Sequence, residues 1–85
     1  MMMNVTITSQ PIMKYNKSNN PYVTFSAVEN STKSTYTIIV YNKHSLKLTY
    51  LYFNKGDQVT LEGKLKSSYF IMENIGADFL QKIYF

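Results

Sequence analysis

Apolar side chains recur at every second position through most of this 85-residue chain, and this period constrains the fold more than any other feature. Successive side chains of a β-strand point to opposite faces, so alternation of apolar and polar residues predicts a strand with one buried face. The alternation runs through residues 5–8, 23–28, 35–41 and 59–66. Gly63 takes an inward position in the last of these, where a barrel strand must bend sharply.

Two further segments depart from this simple alternation. In residues 69–79, odd- and even-numbered positions are both rich in apolar side chains. This pattern predicts a fifth strand but does not show which of its faces is buried. In residues 43–53, Leu46, Tyr50 and Phe53 are spaced by four and three, as on one face of a short helix. A period of two also fits this segment, so a strand is the alternative. As a helix, it would turn Tyr50 and Tyr52 toward the bottom of a barrel.

Polar turn-forming residues separate these elements. Clusters at 16–21 and 29–34 predict loops, and the connection at 66–69 is short enough for a tight hairpin. The resulting order is three strands, a short helix and two strands. It predicts an all-β fold, the five-stranded OB-fold Greek-key barrel with one short helix between strands 3 and 4. An SH3-like barrel is the alternative, although it usually lacks such a helix. No linker or repeat divides the chain, so we expect residues 1–85 to form a single domain.

The charge of the chain points to a polyanionic partner. Nine lysines and five acidic residues give a formal net charge of +4 and an isoelectric point near 9.3, which favours nucleic acid. The composition encoded by an AT-rich genome would produce the same excess of lysine, so charge alone leaves both explanations open. The chain has no arginine, the usual reader of guanine edges in duplex DNA, whereas lysine suffices for backbone phosphates.

Catalytic and metal chemistry find little support in the sequence. Cysteine is absent, and the single histidine, His44, has no neighbouring metal-ligand pattern. The five carboxylates form no close pair, and phosphate-binding loops, dinucleotide glycine patterns and nucleophile elbows are absent. We therefore expect a binding protein that is not an enzyme and uses no cofactor or metal. No signal peptide or membrane-length apolar run is visible, so we expect a soluble, cytoplasmic protein without a membrane partner.

One stretch carries a specific resemblance. Residues 55–65, KGDQVTLEGKL, closely resemble the entry into strand four of the bacterial- and phage-type single-stranded DNA-binding proteins, a family of OB-fold nucleic-acid-binding proteins. Residues 21–28 are similar to the family's strand two, residues 35–43 to its strand three, and residues 77–80 to its closing strand. The resemblance spans nearly the whole chain. It implies single-stranded DNA binding in replication, recombination, or phage or mobile-element DNA metabolism.

The chain departs from the family pattern in four ways. The hairpin at 66–69 replaces a long arm, which should shrink the binding site. Thr35 stands where the family often carries Trp or Phe, with Tyr36 one residue away, and tryptophan is absent. The acidic tail that recruits replication and repair proteins in cellular members is missing, so we expect no recruitment by that route. The compact form suggests a phage or mobile-element protein. The resemblance also implies a homodimer or homotetramer through strand one. The apolar residues at 1–5 and 83–85 offer surface that such an oligomer would cover, and disorder of these ends is the alternative.

Sequence-tolerant binding of single strands needs aromatic rings for base stacking and cations along the phosphates. In an OB-fold the ligand crosses strands two and three, between the loop after strand one and the hairpin after strand four. Alternation turns the Tyr41 side chain away from the core. The family that the chain resembles places a stacking aromatic residue at this position. The candidate binding residues are the rings and lysines of these regions: Tyr41, Tyr15, Tyr69, Tyr22, Lys14, Lys17, Lys33, Lys43, Lys64 and Lys66.

Other side chains have structural explanations. Only one of Tyr69 and Phe70 can point outward beside a tight hairpin, and we expect it to be Tyr69. Lys82 is expected to be a solvated surface charge. The aromatic residues expected to pack in the core are Phe25, Phe53 and Tyr36.

Two functions fit these observations. The first is a single-stranded DNA-binding protein, with RNA binding by the same face as a variant. The second is an OB-fold adaptor that docks on a replication or regulatory protein through the aromatic surface, with DNA affinity incidental.

Overall fold

The computed structural model describes the backbone of residues 1–84 and the side chains of residues 1–80. The predictions made for Lys82 and for the apolar residues 83–85 concern side chains outside that range. Within it, the elements are β1 (Met2–Ile7), β2 (Ile12–Tyr15), β3 (Pro21–Glu29), β4 (Thr35–Val40), α1 (Lys43–Tyr52), β5 (Gln58–Lys66), β6 (Tyr69–Ile75) and α2 (Ala77–Tyr84).

Five of the strands close into a barrel. The hydrogen-bonded order is β1-β5-β6-β4-β3, and β3 pairs again with β1. The β4–β6 pair is parallel, and the other pairs are antiparallel. Helix α1 lies between β4 and β5 in the chain, the third and fourth strands of the barrel. The predicted OB-fold barrel is therefore confirmed.

Strand β2 extends the sheet beyond the barrel, in the region expected to form the loop after strand one. It pairs with β3 alone. The ladder is interrupted before it because Pro11 has no backbone N–H to donate. In place of a backbone carbonyl, the Ser9 hydroxyl accepts a hydrogen bond from the Ser26 N–H there, at 2.8 Å. Residues 12–15, IMKY, do not alternate between apolar and polar side chains, so their pattern does not indicate a strand.

Strand β6 contains a one-residue bulge that explains its mixed apolar pattern. Glu62 pairs with Asn74, but the next residue, Gly63, pairs with Met72, so Glu73 is the extra residue. Parity switches at the bulge, and Met72 and Ile75 both point inward although they are three residues apart. Gly63 is required here, because a Cβ at this position would overlap the Ile71 carbonyl. The predicted inward position of Gly63 is confirmed, because the residue is buried.

Inward-facing side chains of all five barrel strands form one core. The aromatic rings at its base pack edge to face, with centroids 5.7 Å apart for Phe25 and Phe53 and 4.7 Å apart for Phe53 and Phe79. Such pairs contribute roughly 0.5–1.5 kcal/mol beyond their buried area. The expected core positions of Phe25 and Phe53 are confirmed, and Tyr36 is half-buried against the same cluster.

Helix α1 forms where the spacing predicted it. Asn42 caps its start by accepting hydrogen bonds from the N–H groups of His44 and Ser45 at 3.1 and 3.2 Å. The expectation that Tyr50 and Tyr52 close the barrel was wrong, because both are exposed. The positions that face the core are instead Leu46, Leu48 and Thr49, together with Phe53 just after the helix.

Residues 77–80 are not the closing strand that the resemblance implied. Strand β6 ends at Ile75, and these residues form the first turn of α2. Gly76 makes the change of direction against β5, donating to the Thr60 carbonyl at 2.7 Å and accepting from the Phe79 N–H at 3.2 Å. Ile75 at the end of β6 and Phe79 in the first turn of α2 are both buried in the core. Neither helix in residues 1–84 is long and apolar enough to cross a membrane.

Candidate nucleic-acid interface

Strand register defines the outer face of the sheet. Residues directly opposite each other on paired strands share a face. Because Val23 and Ile38 are buried, their neighbours Thr24 and Ile39 point outward. The outward residues form three parallel rows, two positions or about 7 Å apart, which we call together the outer platform. The first row is Lys14, Tyr22 and Tyr41; the second is Ile12, Thr24, Ile39, Ile71 and Lys64; the third is Ser26, Thr37, Tyr69 and Lys66.

The first row holds a pair of tyrosine rings. Tyr22 and Tyr41 have centroids 5.7 Å apart and planes inclined at 42°. Tyr41 follows β4 and is 51% exposed, so alternation oriented it correctly. Its position is fixed by the next residue, Asn42, the cap of α1. Lys14 lies directly opposite Tyr22 on β2. The row thus places two rings and one cation side by side.

The second row is mostly aliphatic, with Thr24 within it and Lys64 at its end. Ile12 is opposite Thr24, Thr24 opposite Ile39, and Ile39 opposite Ile71. Ile12 is 56% exposed and the other three are half-buried. Alternation already placed Ile39 on the same face as Tyr41, but the row as a whole was not predicted as part of the site. The row is formed by the pairing of different strands, and no single segment of the sequence records that pairing.

The third row lies beside the hairpin between β5 and β6. Lys66 pairs with Tyr69, and the two-residue turn is closed by Ser67 at a φ of 50°. Phe70 is fully buried, and Tyr69 is 37% exposed, so the outward ring is Tyr69, as expected. Lys64 and Lys66 point to the same side of β5. A third ring is therefore flanked by two cations.

The remaining candidates lie around the platform. Lys43 and Tyr41 line a shallow pocket of about 280 Å³ with Asn16, Asn20 and Pro21, which brings the β2–β3 loop close to the tyrosine pair. Lys17 is in that loop, which the Asn16 side chain stabilises by accepting from the N–H groups of Ser18 and Asn20.

Two candidates are not brought to the tyrosine pair. Tyr15 takes the opposite parity from Lys14 on β2, and its hydroxyl approaches the Met13 sulfur at 4.0 Å. Lys33 lies in the turn at the other end of β4, with its N–H donating to the Glu29 carbonyl at 2.8 Å. The six residues of β4 separate that turn from Tyr41 by roughly 20 Å. The roles of both side chains stay predictions.

A larger cavity, of about 850 Å³, lies over β1 and β5 near the start of α2. Its described lining includes Glu29 and Asp78 but no lysine. Carboxylates repel phosphates, whereas the platform carries Lys14, Lys64 and Lys66. The lysine-bearing platform is therefore the better candidate for a nucleic-acid interface despite the volume of this cavity.

Comparison with known proteins bears on the fold. No protein-family model matches the sequence, and no curated protein sequence matches it. Among solved structures, the mitochondrial single-stranded DNA-binding protein Rim1 of Saccharomyces cerevisiae is similar at a TM-score of 0.80 and 21% identity, with 89% of each chain covered. The SSB domain of a Synechococcus protein gives 0.79 and 14%, covering 88% of this chain and 90% of that one. A Plasmodium falciparum SSB in complex with single-stranded DNA gives 0.63 and 20%, covering 85% and 83%. This chain therefore has the OB-type fold that these single-stranded DNA-binding proteins share.

Proposed function

We propose that this protein binds single-stranded DNA without strong sequence preference, through the outer platform. The observation that carries the proposal is the outward-facing pair of the half-buried Tyr22 and the exposed Tyr41 beside Lys14. Every base has a flat face, so stacking on such rings is sequence-tolerant and contributes roughly 1–3 kcal/mol per base. The fold shared with single-stranded DNA-binding proteins supports the same conclusion.

Lysines supply the second half of the binding chemistry. Lys14, Lys64 and Lys66 lie in register on the platform, Lys43 lines the pocket beside Tyr41, and Lys17 lies in the β2–β3 loop that borders this pocket. We assign these side chains to backbone phosphates, which lysine contacts as a point charge. An unpaired strand can splay its bases onto the rings while its phosphates follow the lysines.

The test is a titration with oligo-dT, followed by quenching of tyrosine fluorescence at several salt concentrations. Each phosphate contacted on a single strand contributes about −0.7 to the slope of log affinity against log salt, so four contacts give about −3. Titrations that stay flat at low salt with every oligonucleotide length would refute the proposal. A pull-down that yields one stoichiometric protein partner, with DNA affinity independent of Tyr41, would favour the adaptor function instead.

We further propose that the protein protects exposed single strands during replication, recombination, or phage or mobile-element DNA metabolism. Unpaired strands are the common substrate of these processes, and the compact binding face suits a small protective domain comprising residues 1–85. A homodimer or homotetramer through β1 is part of this proposal. Met2 on the outer face of β1 is 61% exposed, which supports it. Native mass spectrometry of the oligo-dT complex measures subunit count and site size together.

A further inference from the structure

The second row of the platform has a chemical character that base stacking alone does not require. Ile12, Thr24, Ile39 and Ile71 are directly paired across four strands and form a continuous line of methyl groups, which we call the isoleucine row. This line lies on the outside of the barrel, and Ile12 is 56% exposed to solvent. An outward aliphatic line of this length exposes apolar surface that a bound ligand could cover.

The rows on either side determine what would lie over it. Tyr22 and Tyr41 are about 7 Å from the row on one side, and Tyr69 is about 7 Å from it on the other. Bases stacked on these rings would bring the intervening or adjacent bases against the isoleucine row. Among its four members, only Thr24 offers a side-chain hydrogen-bonding group, so base edges meet mostly methyl groups there.

Thymine is the nucleobase that can use such a surface best. Its C5-methyl group makes apolar contacts with protein side chains, and uracil lacks that group. We infer that the isoleucine row makes this protein favour thymine over uracil, and hence thymine-containing DNA over uracil-containing RNA. This inference rests on the proposed function and concerns the same surface. It names the ligand that the surface prefers.

The size of the preference follows from the area that the methyl group buries. Full burial of one methyl-sized group changes affinity about fourfold, which corresponds to roughly 0.8 kcal/mol. Contacts on a half-exposed surface give less per base, but an oligonucleotide places several bases on the row. We expect oligo-dT to bind at least about threefold more tightly than oligo-dU of the same length. Such a factor leaves binding sequence-tolerant.

The experiment compares four homopolymers of about 12 nucleotides, within the usual site sizes of this fold class. They are oligo-dT, oligo-dU, oligo-uridine and oligo-5-methyluridine, which separate the effect of the methyl group from that of the 2′-hydroxyl. A ratio of threefold or more for each methylated over its unmethylated partner supports the inference. A smaller ratio in the deoxy pair overturns it. Binding of both deoxy polymers with equal affinity would leave the proposed function intact, whereas binding of neither would refute that function itself.

A variant assigns the effect to the row. Ile39→Thr with Ile71→Thr keeps β-branched side chains in both strands and replaces the apolar ethyl arm of each isoleucine with a polar hydroxyl. The dT:dU ratio should fall to less than half the wild-type ratio, while part of the overall affinity remains through the tyrosines. Val28→Thr is the matched control, because Val28 is a half-buried outward residue of β3 outside the row. Thermal unfolding by circular dichroism establishes that the variants fold. An unchanged ratio in the folded double variant overturns the assignment.

Discussion

Replacing Tyr41 with alanine should weaken DNA binding without unfolding the protein. The side chain is 51% exposed, and the ring it touches is Tyr22, at 5.7 Å. Stacking of a base on an aromatic ring contributes roughly 1–3 kcal/mol. Tyr22 is inclined at only 42° to Tyr41 and remains available to the same base, so the loss should lie in the lower part of that range. We expect about 1–2 kcal/mol, or roughly a 5- to 30-fold increase in Kd.

The measurement is fluorescence anisotropy of labelled oligo-dT, titrated with each variant at several salt concentrations. Tyr50→Ala is the matched control, because Tyr50 is 48% exposed but lies on α1, away from the platform. Its Kd should change less than twofold. Tyr41→Phe should retain most of the affinity, because it keeps the ring. The salt slope of Tyr41→Ala should equal that of the wild type, since no charge is removed.

Three results would contradict the assignment of Tyr41. The first is a Kd within twofold of the wild-type value for Tyr41→Ala, which would mean that no base stacks there. The second is an equal loss for Tyr50→Ala, which would indicate a general effect of removing tyrosine. The third is a salt slope that becomes less negative by a whole phosphate contact, which would show that the substitution displaced the lysines instead.

Three further variants test other parts of the structure. Lys64→Gln with Lys66→Gln should make the salt slope less negative by about 1.4, because two phosphate contacts are lost at about 0.7 each; an unchanged slope would remove these lysines from the interface. Glu73→Gln should raise the affinity for DNA about two- to threefold at low salt, and the gain should vanish at high salt. The reason is that Glu73 is an exposed carboxylate two residues beyond Ile71 on β6. Lower affinity at low salt would contradict this prediction. Gly63→Ala should destabilise the fold by about 2 kcal/mol or more in urea denaturation, because a Cβ there overlaps the Ile71 carbonyl; a midpoint equal to that of the wild type would refute it.

Alternation and spacing predicted most of the barrel because those signals are local. The strands at 23–28, 35–41 and 59–66 bury one face each, and that is the property that a two-residue period records. Helix α1 was predicted from the spacing of Leu46 and Phe53, which do face the core. Tyr50 was misplaced because a hydroxylated ring fits the apolar period but can also lie in water.

The platform could be predicted only residue by residue. Alternation oriented Tyr41, and the short hairpin left Tyr69 as the outward ring, since each conclusion needs only one strand or one turn. Which residues stand next to one another depends on the register between strands. The contact of Tyr22 with Tyr41 and the alignment of Ile39 with Ile71 are properties of pairs of strands, and no period within one segment records them.

The two irregularities of the sheet show why the number of inserted residues matters for the site. On β6 one extra residue, Glu73, switches parity, which turns Met72 and Ile75 inward together. Between β1 and β2 the insertion is two residues, because Ile7 pairs with Ala27 but Ile12 pairs with Thr24.

An insertion of two preserves parity, since the side-chain period of a strand is two. Residues of even number therefore point outward on both sides of the break at Pro11, and Ile12 and Lys14 arrive on the same face as Thr24 and Tyr22. An insertion of one residue would turn Met13 outward and withdraw the cation from the tyrosine pair. The two-residue insertion is thus what lets an interrupted first strand contribute both a methyl group and a charge to the outer platform.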